Sequence, residues 1–388
     1  MPWPLVNPRR PGSRYPYDDL TGVGIAFKLA EALWADLGRP RPDHLLELVA
    51  LGTVADVGPL SGENRYLDKE GLKRLNDTRN PGLRALIAGS GLSSGSLDTE
   101  SLSFGLIPRL NAAGRLSSAS TSLDLLMADS AGSAEAIADA LELHNDERRR
   151  LTEEGVAQAH GQVRLQAGTA PAIIIVEHPE WIPGILGLIA GNLSETYYRP
   201  TVAISIGERT CRASARSIPE FDIVEAFRRS GDLFHRFGGH PQAAGFTLPT
   251  GQLSRLKDEL RAAAKEHLDG AKLEPSIEFD CEIAPALLNG DNLAFMEALR
   301  PFGEANPAPV FLTRHARIVE ARKVGRRGAH LKMRISHGNG AWDAIAFRQG
   351  SSVAATGDVI DLVYTAGMNE WGGQAKLQLN ILDFRRSG

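Results

Sequence analysis

The 388-residue sequence is 43% hydrophobic and 23% charged, with a formal net charge of -4. That is enough for two or three cores and excludes polyanion binding by the whole surface, so any nucleic-acid contact must be a local patch. Cys211 and Cys281 stand far apart without CxxC spacing, which argues against a disulfide framework or structural zinc and makes the cytoplasm the default.

No apolar run approaches the roughly 20 residues of a bilayer span, and Met1-Pro2-Trp3-Pro4 lacks the charge and apolar core of a signal peptide, so no membrane partner is expected. Prolines 2, 4, 8, 11 and 16 predict irregular, extended backbone over residues 1–18. Val23, Phe27, Ala30 and Leu33 recur at helical spacing, predicting a helix over 22–37. A second, capped helix starts at Asp43 and passes into an apolar segment ending Ala55-Asp56-Val57. A carboxylate between two apolar residues is costly to bury without a cation, so Asp56 is a candidate metal ligand or phosphate-site residue, or else a loop cap. Glu63-Asn64-Arg65 is expected in a following loop, where it could orient that carboxylate or a phosphate.

Pro108-Arg109-Leu110-Asn111-Ala112-Ala113-Gly114-Arg115-Leu116 combines small residues, which permit close backbone approach, with two guanidiniums and an amide suited to phosphate oxygens. The alternative is a helix terminus with solvated arginines. Residues 132–165 read as one long helix or a broken pair bridging domains, and Asn145 to Arg150 as its solvated face.

The period then changes. Ala172–Val176 reads as a buried strand, 183–198 as a helix and Thr201–Ile206 as a strand, which together form a βαβ unit with a parallel pair. Cys211–Ser217 is a strand ending in Ser214-Ala215-Arg216, followed by a helix over 222–229 and an amphipathic helix over 252–267. Between these helices lies Arg236-Phe237-Gly238-Gly239-His240. Two glycines let backbone approach a ligand and the histidine can donate to an anion, although the same residues also suit a tight turn with the histidine satisfied in the core. Ser214, Arg216 and His240 are expected to converge where α/β sheets place ligands.

From 271 onward short strands are predicted at 276–283, 310–319, 330–336, 341–347, 359–365 and 376–382, the spacing of a small barrel such as an OB-fold. Between Arg314 and Arg334 eight Lys or Arg residues, including Arg322, Lys323, Arg326, Arg327 and Lys332, face the single Glu320. With Phe347 and Trp371 nearby they fit a single-strand groove, cations meeting phosphates and aromatics stacking on bases; the alternative is a solvated hairpin.

In order and wording these segments resemble one family, the RecJ-type single-stranded-DNA-specific exonucleases of the DHH phosphoesterase superfamily. The matching stretches include 48–60 (LVALGTVADVGPL), Asn64-Arg65, 108–116 (PRLNAAGRL), 178–181 (HPEW), 184–187 (GILG), 214–217 (SARS), 237–245 (FGGHPQAAG) and 301–309 (PFGEANPAP). The resemblance implies an α/β multidomain fold. Residues 1–128 would be the C-terminal part of the DHH catalytic domain, 129–167 a linking helix, 168–270 a DHHA1 domain with a mixed sheet, and 271–388 an OB-fold. It also implies a 5′→3′ exonuclease of DNA repair and recombination using Mn2+ or Mg2+, with single-stranded DNA as partner and a helicase or single-strand-binding protein beside it. Ser214, Arg216, Gly238, Gly239 and His240 would hold the substrate phosphate, Asp56 would match a metal-ligating aspartate, and Arg109, Asn111 and Arg115 would lie at the catalytic cleft.

The family's paired aspartates and Asp-His-His triplet precede the position matching Asn7, whereas this chain has no His-His pair and no Asp-x-Asp. A truncated product that binds DNA without turning it over is therefore expected, since one aspartate cannot assemble a two-metal site. Two rivals remain: a DHH phosphoesterase acting on nanoRNA or cyclic dinucleotides, and a non-catalytic single-strand-binding or scaffold protein.

Overall fold

The structure is a computed structural model that describes residues 5–165, 171–325, 328–371 and 374–387. The chain forms two compact units, Met1–Arg74 with Ser276–Gly388, and Leu75–Pro275.

In the first unit, irregular backbone before residue 20 leads into α1 (Gly22–Asp36), whose N-cap Thr21 accepts from the Gly24 N–H, then α2 (Leu46–Ala55) and α3 (Gly62–Leu75). Leu20, Phe27, Leu46, Val49 and Leu67 form their shared core. Glu63-Asn64-Arg65 is not a loop, because it forms the first turn of α3. Buried Asn64 donates to the carbonyls of Asp19 (2.8 Å) and Pro59 (3.1 Å), and Arg65 to that of Leu299 (2.6 Å), so both tie backbone segments together.

One turn further along α3, Asp68 is 0% exposed and neither carboxylate oxygen has a hydrogen-bond partner among the described residues. Burial pushes its pKa up from 3.8 to about 7. A folded-state pKa above the unfolded value means the native state holds the proton more tightly, so stability falls as pH rises from about 4 to about 7 and is flat above that. Asp68→Asn is therefore expected to stabilise the chain at pH 8 by on the order of a few kcal/mol, at about 1.4 kcal/mol per pKa unit, with no gain near pH 4. Thermal melts across that range check this; parallel pH curves for the two proteins would refute it.

The C-terminal part of this unit contains β6 (Cys281–Glu282), β7 (Val310–Val324), β8 (His330–His337), β9 (Gly340–Ala346), β10 (Val359–Trp371) and β11 (Gln374–Arg386). The order β10-β11-β9-β8-β7 is closed by β10 pairing with β7, which leaves a five-strand OB-like barrel. Ile318, Met333, Ile335, Ala344, Leu362, Tyr364 and Leu379 fill its interior. The strand expected over 276–283 contracts to the two residues of β6, which pair parallel with Phe311 and Leu312; β7 begins only at Val310, so in this register residues 276–279 lie before its first residue. An unpredicted helix, Gly290–Ala298, precedes the barrel strands.

The second unit opens with α4 (Pro81–Gly89), α5 (Thr99–Ser101), α6 (Ile107–Leu116), α7 (Ser120–Leu126) and α8 (Ala131–Leu165), a single helix about 50 Å long at 1.5 Å per residue. Next come β1 (Ile174–His178), α9 (Pro183–Tyr197), β2 (Thr201–Ile206), β3 (Thr210–Arg216), α10 (Ile223–Arg229), β4 (Arg236–His240), β5 (Ala243–Pro249) and α11 (Leu253–Leu268). The sheet runs β1-β2-β3-β5-β4, parallel only between β1 and β2 as the βαβ pattern requires. One face is sealed by α10 and α11 over Val202, Ala215, Phe227, Phe246 and Leu260, and the other by α8 and α9 over Ile174, Ile185, Ile189 and Ala203.

Candidate phosphate-binding site

Strand alternation builds the site. Along β3 the odd residues Cys211, Ala213 and Ala215 are buried in the core. Arg212, Ser214 and Arg216 consequently face the side on which α9 lies. Gly187 of α9 is what makes room there: a Cβ at that position would sit 3.1 Å from Nη2 of Arg216 and 3.2 Å from Oγ of Ser214. Arg216 is half-buried and donates to Ser214 Oγ (3.3 Å) and the Ala215 carbonyl (2.9 Å), with no carboxylate partner among the described residues. Burial and then the Arg115 charge hold its pKa below the ordinary guanidinium value.

Arg115 ends α6 and is exposed, donating to the Gly184 carbonyl at the start of α9 (3.1 Å). Arg148 of α8 is the member that sequence reasoning missed. Far from lying on a solvated face, it is half-buried; Nη2 donates to Asn145 Oδ1 (2.9 Å), Asn145 is 2% exposed, and Nε is buried without a partner among the described residues. Burial, then the charges of Arg115, Arg149 and Arg109, lower its pKa as well. A signal was present, since Ala134, Ala138, Leu141, Asn145 and Arg148 recur at three- and four-residue steps and so share one helical stripe. Like charges held together with neutral partners are unfavourable until an anion arrives, which makes Arg115, Arg148, Ser214 and Arg216 a candidate anion site.

The remaining residues divide. Arg109 is occupied by Glu142 and the Gly105 carbonyl (2.7 Å), bracing α6 on α8, while Asn111 is exposed on α6. Arg236-Phe237-Gly238-Gly239-His240 is a strand rather than a tight turn. The register Arg216↔Ala243↔His240 puts His240 on the same face as Arg216, two strands away, about 10 Å at 4.8 Å per strand. His240 is exposed and has no partner among the described residues. The two glycines differ in purpose. Gly239, at φ +147°, would place a Cβ 2.4 Å from the Ala243 carbonyl oxygen and is required by the hairpin, whereas nothing lies within 4 Å above Gly238, so that position leaves the face open. Phe227, Phe234 and Phe246 brace this hairpin from beneath, with ring centroids 5.0–5.6 Å apart.

In the first unit Asp56 is the exposed C-cap of α2, followed by the strained Val57 (φ 52°). The helix ends in solvent at this point, so the side chain takes a capping position, one of the two readings open for it. Among the described residues no three His, Cys, Asp or Glu side chains converge to hold a metal ion, so the donors present do not fit a two-metal site.

On the barrel, Arg322 lies opposite Lys332, two cations directly paired on one face, with Glu320 3.6 Å from Arg322. Lys323 lies opposite buried Leu331 and so belongs to the other face, a departure from the single ribbon expected. Arg314 is spent on Glu282 and Asp361. Phe347 is 48% exposed and meets His330 edge to face. Arg326, Arg327 and the side chain of Trp371 lie outside the described residues.

A mixed sheet with arginines clustered beside it and a five-strand OB-like barrel are carried on one chain. Residues 170–266 match the DHHA1 domain and residues 279–383 the RecJ OB domain. The single-stranded-DNA-specific exonuclease RecJ of Bacillus subtilis is 36% identical over 98% of this chain and 48% of its own length. Its Salmonella typhimurium counterpart is 33% identical over 98% of this chain and 69% of its own. RecJ from Thermus thermophilus in complex with Mn2+ superposes with a TM-score of 0.81 at 31% identity, covering 97% of this chain and 55% of that one.

This chain belongs to the RecJ family of single-stranded-DNA-specific exonucleases. It spans about half the length of the Bacillus relative. Divalent metals are the family's cofactors, as the Mg2+ and Mn2+ complexes of the Thermus protein record. No helix among the described residues is long and apolar enough to cross a membrane.

Proposed function

We propose that this chain grips the terminal phosphate of single-stranded DNA and serves a 5′→3′ exonuclease of DNA repair and recombination. The observation that carries this reading is the uncompensated cluster of Arg115, Arg148 and Arg216 beside Ser214 on the DHHA1 sheet. Arg216 and Ser214 contact the phosphate, Arg115 and Arg148 add positive charge behind them, and His240 donates across the open floor at Gly238. Arg322 and Lys332 on the barrel meet backbone phosphates of the strand, with Phe347 available for stacking.

Metal ions would supply the hydrolytic nucleophile in the family's chemistry, with Asp56 their one candidate ligand here. Because the donors among the described residues do not form a site, the chain's own residues are assigned only to binding and orienting the strand. Arg109 acts by holding α6, which positions Asn111 and Arg115. The reading carries with it the boundaries 1–128, 129–167, 168–270 and 271–388, a cytoplasmic location, and a helicase or single-strand-binding protein as partner.

Fluorescence anisotropy with labelled oligothymidylate tests it. The phosphorylated single strand is expected to bind at least about tenfold more tightly than its 5′-hydroxyl twin or a duplex, with affinity falling steeply with salt. Equal binding of all three would overturn the reading, and preference for a dinucleotide over the long strand would favour a nanoRNA or cyclic-dinucleotide enzyme instead.

A further inference from the structure

The face that carries Ser214 and Arg216 continues past them. One register step along, Arg212 pairs with Thr247 and Thr247 with Arg236, and in an antiparallel sheet directly paired residues project to the same side. The face is thus a grid of three rows: Arg216, Ala243 and His240; then Ser214, Gly245 and Gly238, almost without side chains; then Arg212, Thr247 and Arg236. A cavity of about 700 Å³ opens over the last two rows, lined by Arg212, His235, Arg236 and Thr247 with Pro183 and Leu186 of α9 as its apolar wall. No carboxylate lines it. Arg212, His235 and Arg236 are exposed, and among the described residues none of these side chains has a hydrogen-bond or ion-pair partner.

Two unpaired guanidiniums and an imidazole around a glycine floor constitute an anion site separate from the first. Arg212 lies two residues from Ser214, about 7 Å at 3.4 Å per residue, and Arg216 lies about 7 Å further on. That is the scale of successive phosphates on an extended strand, and the volume suffices for the intervening sugar and base.

We propose that Arg212, Arg236 and His235 form a second phosphate subsite, which takes a further phosphate of the ligand whose first phosphate is held at Ser214 and Arg216. The proposal rests on the phosphate-gripping reading above. The further phosphate can come from the next linkage of the strand or from a 5′-polyphosphate; the spacing favours the strand.

Calorimetric titration of the full chain with thymidine 5′-monophosphate, thymidine 3′,5′-bisphosphate and thymidine 5′-triphosphate reads both subsites. The bisphosphate is expected to bind about tenfold more tightly than the monophosphate. The double variant R212Q/R236Q should erase that ratio while leaving monophosphate affinity and the melting temperature unchanged, both side chains being exposed. A gain for the triphosphate alone would keep the subsite and reassign its source to a terminal polyphosphate. Equal binding of all three ligands, or a ratio that survives the double variant, would overturn the proposal. Failure of the underlying reading is separately visible, since R216A would then leave monophosphate binding unaltered.

Discussion

Arg216→Ala is expected to weaken binding of the phosphorylated single strand about 50-fold, close to 2 kcal/mol and at the lower end of what loss of one partner in a desolvated charge pair costs. The 5′-hydroxyl strand should change by less than about threefold, because its phosphodiesters retain the barrel cations. Arg216 is half-buried beside Arg115 with only Ser214 Oγ and a carbonyl as acceptors, so its charge is a burden to the ligand-free protein. The variant should therefore melt at or slightly above the wild-type temperature, which separates a binding role from a structural one. Arg216→Lys keeps the charge but loses the planar fork and should fall between the two. An alanine variant that binds both strands like wild type would remove Arg216 from the site.

Gly184→Ala should produce a large loss of stability. A Cβ there would lie 2.1 Å from the Arg115 carbonyl oxygen and 2.8 Å from its carbon, and these are backbone atoms that cannot rotate away. The end of α6 and the start of α9 would have to separate, breaking the bond from Arg115 to the Gly184 carbonyl. The expected cost is about 3 kcal/mol, or roughly 4 to 7 °C in melting temperature, with phosphate affinity falling as Arg115 moves. Gly187→Ala provides the contrast: its Cβ would meet side-chain atoms of Arg216 and Ser214, which can shift, so affinity should fall with little change in stability. A Gly184→Ala protein melting within about 1 °C of wild type would contradict backbone-to-backbone docking of these helices.

The elements whose hydrophobic period agrees with their local chemistry were legible in the sequence. The long helix occurs at Ala131–Leu165, the βαβ unit at Ile174–Ile206 and the barrel strands from Val310, each within a few residues of expectation. Ser276–Asp280 was misread because alternation describes a strand's faces and says nothing about whether a partner edge is free. For Asp56 the sequence left a ligand and a cap both open, because apolar neighbours in sequence do not decide whether a side chain at a helix C-cap is buried. Ser214 and Arg216 were legible as a motif. Arg148 was obscured by the charged run around it, although its place on the buried stripe of α8 could have revealed it.

By itself the sequence determined which chemistry this protein carries: forked cations, small residues and a Gly-Gly-His motif, with a basic barrel at the end and few metal donors. These follow from residue identity and short-range periodicity. Only the tertiary structure decided which cations act together. Arg115, Arg148 and Arg216 are remote in sequence and meet because α6, α8 and β3 all pack around α9, whereas Arg109 and Arg314 find carboxylates and are neutralised. It also decided which glycine is open to a ligand and which only closes the hairpin, since that depends on the strand across from it.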